Sequence, residues 1–142
     1  MSTTVTSRRR WIVCATLPLV LIMGFGCKAY SGAGRDWVNN WGPASVAYEW
    51  LLMLLLFAVV PGRKFIRRIA VTVFVATCVI EFLQLYQPAW LQAVRATWLG
   101  RMILGTTFNW WDFPAYLVGC VSGVLLLHAI CRLAGETHEP AS

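Results

Sequence analysis

The chain is poor in charge. Only 13% of its 142 residues are Asp, Glu, Lys or Arg, while 58% are hydrophobic. Soluble domains draw about a quarter of their residues from the charged set, so a surface that meets water on all sides is excluded. Acidic groups are scarcest, six in all, and there are two histidines. No spacing of His, Cys, Asp or Glu fits a metal site, and neither metal nor cofactor is expected. The five cysteines, Cys14, Cys27, Cys78, Cys120 and Cys131, form no CxxC. Each lies in or at the end of an apolar segment, where cysteine acts as a small hydrophobe, which argues against a disulfide framework. G-x-S-x-G, H-E-x-x-H and the phosphate-binding glycine loop are also missing. The sequence therefore names no catalytic residue and favours no enzymatic class.

What the chain has is long apolar runs. A helix needs about 20 mostly apolar residues to span a bilayer, and four candidates cover 11–27, 44–60, 69–86 and 113–131. The expected fold is all-α: a four-helix transmembrane bundle in a single integral-membrane domain, residues 1–142. Pro18 lies within the first span and is expected to kink it, as spanning helices allow. Basic, apolar and small residues follow one another there as in a secretory signal peptide, with Gly26 before Cys27. Gly24 and Phe25 stand where lipoprotein cleavage needs an aliphatic and a small residue, so the expectation is an uncleaved span. Pro61 and Gly62 end the second span, Pro88 ends the third, and Pro114 falls in the first turn of the fourth. Residues 1–7 and the polar tail to Ser142 are expected to be loose. Residues 89–104 are too short and too charged to span. They read as an interfacial or re-entrant helix, with Trp90 and Trp98 at headgroup level.

The net charge of +6 sits in short runs beside apolar segments, which excludes nucleic acid as a partner. Arg8, Arg9, Arg10, Arg63, Lys64, Arg67, Arg68 and Arg132 fall on one side of the expected topology. Lys28, Arg35, Arg95 and Arg101 fall on the other. By the positive-inside rule both termini are cytoplasmic. The expectation is a multi-pass membrane protein, in a bacterium one of the inner membrane, with membrane lipid as its partner. Trp37 and Trp41 suit an interfacial belt in the 28–43 loop.

Residues 81–112 then face outward. Thr77, Glu81 and Gln84 share one helical face, which must turn inward because charge is costly against lipid. Glu49, Glu81 and Asp112 come to one depth with Arg35, Arg95 and Arg101. Glu81 lies about 7 Å below the outer end of its expected helix, and Arg95 or Arg101 is its expected partner, in the bidentate geometry arginine favours. The candidate ligand-binding residues are Glu81, Gln84, Arg95, Arg101 and Asp112. Each has a plainer role as well. The Glu81 pair would anchor the interfacial segment. Asp112 would cap a helix, with Asn109 or Thr107 sharing that work. Gln84 would bond helix to helix, and the arginines would sit at the interface. Glu49 reads as a headgroup-level residue and His128 as structural. Ala115, Gly119 and Gly123 form a small-xxx-small face that could pack a neighbouring helix or a second copy of the chain.

One stretch of residues resembles a family. Glu81-x-x-Gln84, Pro88-Ala89-Trp90-Leu91, Arg95-Ala-Thr-Trp-Leu-Gly100, Leu104-Gly105, Phe108-x-x-Trp-Asp112, Ala115-Tyr116 and Gly119 resemble a small bacterial integral-membrane family of unknown function, related to the VanZ-like proteins. The likeness is dense over 81–119 and looser elsewhere, with Lys28, Trp37, Val38, Asn39 and Asn40 also similar. It implies a four-helix plan, an inner-membrane location and marked positions at Glu81, Gln84, Arg95, Gly100, Asp112 and Gly119. A Trp-rich insert between Tyr86 and Trp111 departs from the VanZ-like pattern. The leading expectation is an outward-facing acid–arginine site for a lipid headgroup, a lipid-linked envelope precursor or a lipophilic antibiotic. The alternatives are a membrane accessory or assembly subunit, an enzyme using Glu81 or Asp112 as base on a lipid-linked substrate, and a proton-coupled transporter.

Overall fold

The computed structural model describes residues 3–105 and 107–135, without the side chains of residues 3, 4, 40 and 41. The expectations for the 136–142 tail and for the Trp41 ring lie outside the described residues. Six α-helices follow in order: α1 Thr3–Ala29, α2 Pro43–Val59, α3 Ile66–Leu83, α4 Ala89–Ala96, α5 Trp98–Leu104 and α6 Asp112–Leu133. A π-helical turn, Trp37–Trp41, leads into α2, and a 3-10 turn, Arg63–Phe65, leads into α3. No strand occurs among the described residues.

Three helical stretches, Val5–Ala29, Trp37–Val59 and Asp112–Leu133, are long and apolar enough to cross a membrane. The third expected span folds as α3, but Arg67, Arg68 and Glu81 all fall within its 18 residues. Its apolar length is thus shorter than that of the other three. Away from the arginines at one end, the outward sides are largely apolar: Leu19 and Ile22 on α1, Leu55 on α2, Val71 and Val75 on α3 and Leu125 on α6 are exposed. Contiguous apolar surface on this scale marks a membrane or a protein partner.

α2 is the hub and packs on α1, α3 and α6. Its Met53, Leu54 and Phe57 meet Ile66 and Val73 of α3 and Leu127 and Ile130 of α6 in one buried cluster. α6 comes close to α2 because Gly119 and Gly123 carry no side chain. A Cβ at Gly119 would lie 2.7 Å from Cβ of Glu49, and one at Gly123 would lie 2.5 Å from Sδ of Met53. The Trp50 Nε1–H also donates to Oγ of Ser122 at 2.9 Å. Within the chain, Gly119 and Gly123 of the small-residue face thus pack a neighbouring helix, α2.

The start of α1, expected to be loose through residue 7, is helical from Thr3. No breaker precedes Pro18, and two arginines tie the helix down. Arg9 is buried and donates to the Pro61 carbonyl, and Arg10 donates to that of Ala58 at 3.1 Å. The last carbonyls of a helix lack partners within it and attract cations. The start of α1, the end of α2 and the 63–68 turn therefore share one end of the bundle, and the basic run lies there.

The expected helix over 89–104 is two helices broken at Thr97, whose ψ of 151° is extended. Thr97 caps α5, its Oγ1 accepting from Gly100 N at 3.0 Å. Gly100 is packed so closely on the Val94 carbonyl that any Cβ there would collide with it. α5 leaves through Gly105, whose φ of 63° suits glycine.

Candidate functional site

Glu81 is fully buried in the last turn of α3. Oε1 accepts the backbone N–H of Asn109 at 2.6 Å. Oε2 accepts from Nε2 of Gln84 at 3.1 Å and from the Tyr116 hydroxyl at 3.2 Å. On either side of Asn109 in the chain, Phe108 and Trp110 join Phe82 and Phe113 in an aromatic group, with contacting ring centroids 5.0–6.3 Å apart. Three neutral donors thus satisfy Glu81, and the expected arginine partner is not used. Donors fixed in space can solvate a buried carboxyl group without a counter-ion.

Arg95 has another task. It is 3% exposed, and its guanidinium donates to Leu83 O at 2.7 Å and to Tyr86 O at 3.3 Å. It therefore caps the C-terminal end of α3 and fixes α4 to it. Arg101 is exposed and donates to Ala96 O at 3.4 Å.

Asp112 opens α6 but does not cap it by its side chain. Instead Oδ1 faces Ser45 Oγ of α2 at 3.4 Å. Asn109 serves the turn, its Oδ1 accepting from Trp111 N at 3.2 Å. Glu49, read at headgroup level, is fully buried within the bundle. Its Oε2 accepts from the Cys120 thiol at 3.1 Å, and Oε1 has no hydrogen-bond partner. Gly119 makes room for its stem.

Above Glu49 lies a crevice of about 870 Å³. Glu81, Gln84, Asp112, Arg101, Lys28, Ser45 and Tyr116 line it, with apolar walls from Val20, Phe25, Leu51, Ile80, Met102 and Phe108. α5 lies across it, held by the Tyr48 hydroxyl donating to Ile103 O at 3.3 Å. Of the five residues singled out by sequence, four line this space, and Arg95 is not among its lining residues. The crevice is at the end of the bundle opposite the basic run, since it gathers the end of α1 and α3 and the start of α2 and α6.

Residues 34–120 match the family described as "Protein of unknown function (DUF2809)". The chain belongs to this family. The DUF2809 match begins after α1 and stops within α6, and it includes Glu49, Glu81, Gln84 and Asp112. No solved structure matches the chain.

The sequence alone assigned no site role to Tyr116, to Ser45 or to the Asn109 backbone amide. Tyr116 lies four residues after Asp112, on the same face of α6, and that spacing was available. Nothing in the sequence places Ser45 opposite Asp112, because their contact spans two helices.

Proposed function

We propose that this DUF2809 protein is a polytopic membrane protein whose crevice binds an amphipathic, lipid-like ligand. The observation that carries the reading is the make-up of that crevice. Two carboxyl groups, two side-chain amides and two cationic side chains share about 870 Å³ with apolar walls. Ligand sites span about 300–1,000 Å³ and combine mostly apolar walls with a few polar groups. α1 and α3 both line the space, yet α1 packs on α2 and not along α3. That side is the natural route for a ligand whose tail stays in lipid. The likeness to VanZ-like proteins, four spans, an inner-membrane location with both termini cytoplasmic, and an outward-facing crevice belong to the same proposal. Basic residues gathered at the other end support that orientation.

The test is lipid retention. Full-length protein purified in dodecyl maltoside retains lipid visible by native mass spectrometry, and a Lys28→Ala, Arg101→Ala double variant loses most of it. Equal retention by both proteins would overturn the reading.

A further inference from the structure

Gln84 supplies an observation that the general reading does not use. It is 6% exposed and lines the crevice. Its Nε2 is committed to Glu81 at 3.1 Å, while Oε1 has no hydrogen-bond partner. The bond to Glu81 sets the orientation of the amide, because only the NH₂ group can donate to a carboxylate oxygen. Gly105 hems the amide in, since a Cβ there would lie 2.6 Å from Nε2. A buried acceptor left without a donor is costly, and this one sits on the wall of an open space. Asp112 lines the same space, with Ser45 Oγ 3.4 Å away, longer than a good hydroxyl bond. The crevice therefore offers acceptors and negative charge. Lys28 and Arg101 bring positive charge to the same crevice, and arginine suits phosphate.

Resting on the reading of the crevice as an amphipath site, we infer that its ligand is a lipid whose headgroup is a phosphate ester of a primary amino alcohol. The ammonium N–H groups donate to Gln84 Oε1 and face Asp112. The phosphate faces Lys28 and Arg101, and the acyl chains follow the apolar walls out between α1 and α3. A primary ammonium carries three donors. A trimethylammonium group has the same charge and none, so hydrogen bonding to Gln84 separates the two.

The experiment uses the full chain in dodecyl maltoside micelles doped with one dioleoyl lipid at a time, with occupancy read by native mass spectrometry. The lipids are phosphatidylethanolamine, its mono- and dimethyl forms, phosphatidylcholine and phosphatidylglycerol. Wild type is expected to hold phosphatidylethanolamine about tenfold more strongly than phosphatidylcholine, the size of one lost charge-assisted bond. Gln84→Met, which keeps the length and removes the acceptor, brings that ratio close to one. The wild-type series needs no variant, so it decides even where Gln84→Met fails to fold. Equal occupancy across the methylation series, or preference for phosphatidylglycerol, overturns the amine assignment. If the Lys28→Ala, Arg101→Ala variant still loses lipid, the crevice reading survives that result. Soluble phosphoethanolamine separates headgroup from lipid. It is expected to displace bound phosphatidylethanolamine only at concentrations at least about a hundredfold higher, because it lacks buried chains. Displacement at matched concentration would overturn the lipid assignment.

Discussion

Arg95 donates to the carbonyl oxygen of Leu83 at 2.7 Å. That contact gives the arginine a backbone partner two residues beyond Glu81 in place of the Glu81 carboxyl group. It satisfies a carbonyl that α3 leaves open at its end and puts a cation where the helix dipole is negative. Arg95→Ala should cost about 1.5–3 kcal/mol, the range for hydrogen bonds to charged groups. Arg95→Lys should recover only part of this, because lysine lacks the planar fork that reaches two carbonyls. Thermal melts of the three proteins in one detergent check both statements, and an Arg95→Ala protein as stable as wild type would refute them.

Tyr116 and Glu81 make the second test. Tyr116→Phe removes one of three donors to a fully buried carboxyl group and should cost about 1–3 kcal/mol. Tyr116→Phe made in a Glu81→Leu background should cost less, because the hydroxyl then has no carboxylate to serve. A double-mutant cycle reads the coupling; zero coupling would mean that the hydroxyl does not support Glu81.

Gly119 and Gly26 predict opposite outcomes for the same substitution. Gly119→Ala places a methyl group against the stem of Glu49 and should destabilise by about 1–3 kcal/mol through overpacking. Gly26→Ala in α1 meets nothing within 4 Å and should stabilise by about 0.5–1 kcal/mol through helix propensity. Parallel melting curves settle the pair, and a shift of the same sign in both would be inconsistent with the packing described.

Glu49 is fully buried, with one oxygen lacking a partner and no ion pair among the described residues. Glu49→Gln keeps its volume against Gly119 and removes any need to hold an uncompensated charge, which is costly in an apolar interior. The variant should melt no lower than wild type. A fall of several degrees would show that the acid itself supports the bundle.

Residue order alone determined the four long helices, to within a few residues at their ends, and their apolar faces. The runs around 11–27, 44–60 and 113–131 lie within α1, within a residue of α2 and within α6. The spacing of Thr77, Glu81 and Gln84 put them on one inward face, where all three are buried. Periodicity is local, so a single helix carries its own evidence of which side is polar. Tertiary structure decided the partners. Arg95 was free to choose between the Glu81 carboxyl group and the open carbonyls at the end of α3, and a carbonyl has no signature in sequence. Glu49 is buried inside the bundle because α6 offers glycine at 119 and a thiol at Cys120, on a helix 70 residues later. The break at Thr97 arose where Gly100 packs on the Val94 carbonyl and the Thr97 hydroxyl starts a new helix. Each of these depends on which backbone groups and which neighbouring helix come within reach, and only the folded chain sets those distances.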